Sequence, residues 1–236
     1  MTDVRNIIVI GASAGGIPAV KTIISGLSHQ MEIVVIVVIH VSRKSNSARI
    51  ANAFQKETTL ICKEASNQML LERGNLYVAP PEYQLMLKDH FLHLNPGPHE
   101  NKYRPSIDVL FRSAAVKYGH RAIGIVLTGL FDDGTSGMSA IKRSGGICIV
   151  QNPAEAEHPD MPQSVLNKIA VDYKANLQEI PLIITEILKK PLPPEKPVPR
   201  ELQIEAEITE KMMSNIDQMK EIGNHSDFVC PDCGGG

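Results

Sequence analysis

The chain has 236 residues, with 24 Lys and Arg against 26 Asp and Glu, and 43% of its residues are hydrophobic. This length fits one large domain, or one domain with a small appendage, that folds without a disulfide or metal. The net charge of −2 argues against a nucleic-acid binder, and the longest apolar run, residues 33–39, is far too short for membrane insertion. The start of the sequence lacks a leader pattern, so we expect a soluble, cytoplasmic protein.

Apolar runs rich in β-branched residues alternate with segments of helical spacing over most of the chain. The predicted strands are 7–10, 33–39, 60–63, 123–127 and 147–151, with small strands or a hairpin at 76–80, 84–88 and 90–94. The predicted helices are 18–27, 45–56, 106–118, 137–142, 162–169 and 180–189. Buried strands alternating with helices predict a doubly wound, Rossmann-like α/β fold, in which helices cover both faces of a mostly parallel sheet.

The C-terminal part has a different composition. Residues 1–190 form the predicted main domain, and 191–200 contain five prolines, which predicts a stiff linker. The predicted tail, 201–236, begins with alternating apolar and polar residues over 201–208, typical of a short strand, and continues as a helix over 210–222. Cys230 and Cys233 have the spacing of half a zinc ribbon, but no second such pair exists and His225 is the only nearby nitrogen ligand, so no metal is predicted.

Reactive side chains follow three of the predicted strands, at the sheet edge where α/β proteins bind ligands. Ser13 stands in Gly11-Ala12-Ser13-Ala14-Gly15, which fits a G-x-S-x-G nucleophile elbow, a phosphate-binding loop or a tight turn. His40 closes the second strand, where it acts as a general base or is held by loop hydrogen bonds. Asp132 and Asp133 follow the strand 123–127, where an acid orients a histidine, caps a helix or binds a metal.

Each signal is ambiguous alone, but a serine, a histidine and an aspartate at one sheet edge together favour a serine hydrolase. Their order along the chain, Ser…His…Asp, matches neither the α/β-hydrolases nor the two familiar protease orders. A nucleotide-binding role is disfavoured because Ser13 occupies the second glycine of the dinucleotide pattern.

The chain resembles the catalytic domain of the CheB-type chemotaxis protein-glutamate methylesterases over roughly residues 5–188. The segments that carry the resemblance are 9–16, His40, 77–81, 103–115, 127–134, 150–156 and Met161-Pro162. The resemblance implies hydrolysis of glutamate methyl esters on the cytoplasmic helices of chemoreceptors, with release of methanol, and deamidation of certain receptor glutamines. It implies Ser13 as nucleophile, His40 as general base and acid, Asp133 as orienting carboxylate, and no cofactor or metal.

The same resemblance makes Asp132 a solvated loop residue and places Leu130 where the family usually has a methionine, with a backbone that assists the oxyanion. Two departures bear on substrate fit: Val41-Ser42-Arg43 replaces Met-Pro-Pro after the histidine, and Phe131 replaces a glycine. The first strand begins by residue 7, which leaves no room for the family's N-terminal receiver domain. We therefore expect either no phosphorylation control in cis or control by a separate response-regulator or signalling partner.

Three cations, Arg43, Lys44 and Arg49, either steer an acidic receptor helix or are solvated loop residues, and Arg104 is expected near the mouth of the site. Two rival functions remain: a triad esterase or amidase with another substrate, and a catalytically silent binding module of a signalling assembly.

Overall fold

The computed structural model describes residues 5–222, with side chains as far as residue 211. The strands are β1 (Ile7–Ala12), β2 (Val34–Ile39), β3 (Ile61–Glu64), β4 (Met69–Leu70), β5 (Asn75–Val78), β6 (Gln84–Lys88), β7 (Phe91–Asn95), β8 (Ala122–Val126), β9 (Ile147–Gln151) and β10 (Tyr173–Ala175). The helices are α1 (Gly16–Ile24), α2 (Ser47–Phe54), α3 (Ile107–Tyr118), α4 (Thr135–Arg143), α5 (Asp160–Lys168), α6 (Ile180–Lys189) and α7 (Arg200–Ile222).

Seven strands form one parallel sheet in the order β10-β9-β8-β1-β2-β5-β3. The chain goes from β1 to β2 on one side, and β8 pairs with β1 on the other, so the strand order reverses at β1. Crevices at such switch points are where doubly wound proteins bind ligands. The predicted fold class is confirmed.

Side chains of the central strands alternate between two apolar cores, one on each face of the sheet. Ile7 and Val9 pack in one core with residues of α3, α4 and α5, and Ile8 and Ile10 pack in the other with residues of α1, α2 and α6. Burial on both faces explains why these strands are continuous apolar runs rather than alternating ones. The first core also holds α3 against β1, which brings the start of α3 close to the first strand.

A second, antiparallel sheet in the order β4-β7-β6 lies on the α3 side and contributes to the same core. Its β6–β7 hairpin was predicted, whereas β5, which the sequence grouped with it, belongs to the parallel sheet. The sequence analysis did not predict β4 or β10, which have two and three residues.

The prediction of a strand over 201–208 is wrong, because these residues begin the long helix α7. Leu202 is buried, while Ile204 and Ile208, one helical turn apart, are exposed. The alternation therefore reflects two faces of a helix. The Pro-rich segment has no helix or strand between α6 and α7, and the domain limits 1–190, 191–200 and 201–236 stay predictions.

His225, Cys230 and Cys233 lie outside the described residues. Among the residues that are described, no helix is both long enough and apolar enough to cross a bilayer.

Candidate active site

Ser13 lies directly after the central strand β1, in a tight turn that leads into α1. Its backbone N–H donates to Thr128 O at 2.9 Å, and Gly16 N–H donates to Ser13 O at 2.8 Å. Gly15 occupies the turn with a φ of +72°, a left-handed conformation that favours glycine. The turn ends at the first residue of α1, so the partial positive charge of that helix N-terminus lies beside Ser13.

His40 occupies the equivalent position on the neighbouring strand. In the β1–β2 register Ala12 pairs with Ile39, and His40 N–H donates to Ala12 O at 3.0 Å. Ser13 and His40 therefore directly follow the last paired residues of two adjacent parallel strands. Only 8% of the His40 side chain is exposed, and its Nε2 lies 2.8 Å from Asp133 Oδ2.

Asp133 is fully buried, and its carboxylate is held by several hydrogen bonds in addition to that from His40. The Oδ1 atom accepts from Ser106 Oγ at 2.9 Å and from Asp108 N–H and Gly134 N–H, each at 3.1 Å, and Oδ2 accepts from Ile107 N–H at 2.8 Å. Two of these N–H groups belong to the first turn of α3. Asp133 therefore orients the histidine and also caps a helix 25 residues earlier in the chain.

Ser106 is the N-cap residue of α3, but its side chain makes no capping hydrogen bond. Its hydroxyl donates to Asp133 instead, and that carboxylate performs the capping. A cap supplied from another segment leaves no local pattern around Ser106, which is why the sequence did not indicate it.

The environment keeps Asp133 ionised. Burial alone would raise the pKa of this carboxyl, but the hydrogen bond and charge of His40, together with the N–H groups of Ile107 and Asp108, outweigh burial and hold the pKa below its usual range. An ionised carboxylate accepts a hydrogen bond from the Nε2–H group of the imidazole, which leaves the lone pair on Nδ1. Within the described residues, Nδ1 of His40 is buried and has no hydrogen-bond partner.

Tyr103 packs flat against the histidine, a contact that the sequence analysis did not predict. The two rings are 3.6 Å apart between centroids with an interplanar angle of 4°. Burial and the negative charge of Asp133 raise the pKa of the Tyr103 phenol, so the ring stays neutral. The only sequence signal was that Tyr103 opens one of the segments shared with the methylesterases.

Gly129 allows a close approach between the loop after β8 and the serine. A Cβ at Gly129 would lie 2.7 Å from the Ser13 Cβ and 2.2 Å from the Met161 sulfur. Gly129 N–H donates to His158 O at 2.9 Å, and Met161 N–H donates to Gly129 O at 3.0 Å. The serine turn, the loop before Asp133 and the start of α5 therefore form one packed unit.

A second buried carboxyl, Asp108, lies next to Asp133. It accepts from Gly137 N–H at 2.6 Å in the first turn of α4 and from the Asn101 side-chain amide. Burial and the negative charge of Asp133 raise the pKa of Asp108 to about 7. Asp108 joins the starts of α3 and α4 around the Asp133 carboxylate, a role that its place inside an amphipathic helix did not reveal.

The predicted cations have different surroundings. Arg104 donates to Pro96 O and Gly97 O and pairs with Glu82 at 2.8 Å, so it fixes a loop. Arg43 pairs with the same carboxylate at 3.2 Å but stays largely exposed. Lys44 and Arg49 are exposed, as is Asp132.

Ser13, His40 and the buried Asp133 follow three neighbouring strands of the parallel sheet, and serine hydrolases combine a serine, a histidine and an acid. The family model for the CheB methylesterase matches residues 8–184. The chain therefore belongs to the CheB methylesterase family.

Individual proteins that the chain is similar to support the same family. A protein of Leptospira interrogans named putative protein-glutamate methylesterase/protein-glutamine glutaminase is 40% identical over 174 residues, which cover 73% of this chain and 90% of that protein. A Methanosarcina mazei protein-glutamate methylesterase/protein-glutamine glutaminase is 31% identical over 80% of this chain, which spans 53% of its length. The crystal structure of the Thermotoga maritima CheB methylesterase catalytic domain superposes with a TM-score of 0.74 at 30% identity, covering 77% of this chain and 97% of that one.

Proposed function

We propose that this protein hydrolyses glutamate methyl esters on the cytoplasmic helices of chemoreceptors, and that it deamidates receptor glutamines by the same route. Ser13 is the nucleophile, His40 the general base and acid, and Asp133 the carboxylate that orients His40. The observation that carries the proposal is the Nε2–Oδ2 hydrogen bond of 2.8 Å between His40 and a buried, fully hydrogen-bonded Asp133, one strand away from Ser13.

The histidine acts through Nδ1. Because the Asp133 carboxylate binds the Nε2 proton, Nδ1 is the ring nitrogen with a lone pair to accept the hydroxyl proton of Ser13. The imidazolium that forms is stabilised by the adjacent negative charge, and the stacked Tyr103 ring limits rotation of the imidazole.

Reaction begins when the Ser13 oxygen attacks the ester carbonyl while its proton passes to Nδ1 of His40. The oxyanion of the tetrahedral intermediate lies near the start of α1, where the helix N-terminus and the backbone of Leu130 stabilise its charge. The intermediate collapses, and methanol leaves with the proton from His40. Water activated by the same histidine then cleaves the acyl-enzyme, giving the free carboxylate and regenerating Ser13.

For a receptor glutamine the leaving group is ammonia, and the steps are otherwise the same. This chemistry requires a cytoplasmic location, since the substrate helices are there. We further propose that a separate response-regulator or signalling partner controls the activity.

The test is methanol release from a methylated chemoreceptor cytoplasmic fragment, with wild type beside Ser13→Ala. We expect release by wild type and a loss of several orders of magnitude in the variant. Turnover of simple esters without methanol release from the fragment would instead support a triad esterase with another substrate. A folded protein that hydrolyses neither would support a silent binding module.

A further inference from the structure

Phe131 has a backbone conformation that is costly for its side chain. It lies in the loop between β8 and α4, with a φ of +66°, in the left-handed region that favours glycine. Six other non-glycine residues among those described have a positive φ, and all are polar or charged: Glu32, Gln68, Glu82, Asp89, Asn101 and Lys102. Phe131 is the one large apolar residue in this group.

Packing within the protein does not compensate for this strain, because 66% of the Phe131 surface is exposed. Among the large apolar side chains described, only Leu182 exposes more, at 69%, and Leu182 lies in the regular helix α6. Strained residues that gain little from packing concentrate at functional sites.

The loop holds Phe131 at the rim of the proposed active site. Two residues before it, Gly129 packs against Ser13 and is bonded to the segment 158–161. Two residues after it, Asp133 is buried against His40. Both ends of the loop are therefore fixed by groups of the proposed active site, and the two residues between them, Leu130 and Phe131, are both exposed apolar residues.

We propose that Phe131 is a specificity-determining residue that packs against an aliphatic side chain of the protein substrate, next to the methyl ester. This inference rests on the proposed function. A small ester carries no neighbouring side chains, whereas a receptor helix presents side chains on either side of the methyl ester. Burial of about half of the ring is expected to change substrate affinity about tenfold. Because the contact is the same in the ground and transition states, it acts on KM rather than on kcat.

The experiment compares wild type with Phe131→Ala, Phe131→Gly and Phe131→Tyr on two substrates, a methylated chemoreceptor fragment and p-nitrophenyl acetate. We expect Ala and Gly to raise KM for the fragment about tenfold with little change in kcat, and Tyr to retain the wild-type KM. All four proteins should hydrolyse p-nitrophenyl acetate alike. The Ala and Gly variants both remove the ring, but only Gly relieves the backbone strain, so Gly should have a melting temperature about 2–4 °C above Ala.

Three results would overturn the inference while leaving the proposed function intact. The first is an unchanged KM for the fragment in both Phe131→Ala and Phe131→Gly. The second is an equal loss of activity on the fragment and on p-nitrophenyl acetate. The third is a rise in KM for Phe131→Ala that is absent for Phe131→Gly, because that result would assign the effect to the backbone. Absence of methanol release by wild type would overturn the proposed function, and this inference with it.

Discussion

Replacement of Asp133 by asparagine tests how the buried carboxylate controls the histidine. Asparagine has nearly the same shape, but one oxygen becomes an NH₂ group. Oδ1 accepts three hydrogen bonds, and Oδ2 accepts those from His40 Nε2 and Ile107 N–H. The amide is therefore expected to keep its oxygen at the Oδ1 position and turn its NH₂ group toward His40.

That orientation changes the tautomer of the histidine. The NH₂ group donates to Nε2, so the imidazole proton moves to Nδ1, which can then no longer accept the proton of Ser13. Amidation of a triad carboxylate costs about 10⁴ in kcat in a serine protease, which corresponds to about 5 kcal/mol of barrier. Ile107 N–H also loses its acceptor inside the protein, which should lower the free energy of unfolding by about 1–3 kcal/mol.

The assay is hydrolysis of p-nitrophenyl acetate and of the methylated receptor fragment, with urea unfolding to measure stability. Asp132→Asn is the matched control, because it makes the same chemical change at the adjacent, exposed position and should leave rate and stability near wild type. A folded Asp133→Asn variant with kcat within tenfold of wild type would refute the assigned roles of Asp133 and His40.

The pH dependence of stability provides a second readout on the same variant. Folding holds the pKa of Asp133 below its usual range, so its ionised form stabilises the folded state above the unfolded pKa of about 3.9. This contribution disappears as the pH falls through the folded pKa. Acid should therefore destabilise wild type more steeply than Asp133→Asn, and equal slopes below pH about 4 would contradict the assignment.

Substitutions at three further positions test neighbouring groups. Tyr103→Ala removes the ring stacked on His40 and should lower kcat by up to about tenfold, whereas Tyr103→Phe keeps the ring and should retain the wild-type kcat. Equal losses of kcat in the two variants in steady-state assays would exclude a stacking role. Gly129→Ala places a methyl group against Ser13 and should lower kcat by about 10² or more and stability by about 1–3 kcal/mol, and wild-type kinetics would contradict the close contact. Asp108 has a folded pKa of about 7, so its ionisation should destabilise the protein as the pH rises from about 4 to about 7; urea unfolding should show that Asp108→Asn lacks this decline.

The parallel sheet was predictable because its central strands are buried on both faces. β1, β2, β8 and β9 appear as short apolar runs rich in β-branched residues, and this combination of length and composition favours a buried strand over a helix. The edge strand β10 has only three residues, too few to establish a period. The alternation of apolar and polar residues over 201–208 fits a strand, and it also fits a helix with one buried and one exposed face. In the structure these residues are helical, with Leu202 buried and Ile204 and Ile208 exposed.

The site was predictable only where chemistry coincided with a strand end. Ser13 and His40 come directly after two buried strands, so their closeness follows from strand pairing. The choice between Asp132 and Asp133 came from the resemblance, and the structure gives its physical basis, since one is exposed and the other is buried against α3. Tyr103 stacks on His40, and Ser106 donates to Asp133. Both contacts join segments that are far apart in sequence, so no periodic pattern in the sequence indicates them.

The most direct test of the account is the intact mass of a methylated chemoreceptor fragment before and after incubation with the protein. We predict that wild type removes one methylene in mass for each methyl ester and produces the smaller mass increase of deamidation at receptor glutamines. Ser13→Ala should leave the fragment unchanged. A fragment whose mass is unaltered by folded wild-type protein, or altered equally by Ser13→Ala, would contradict the account.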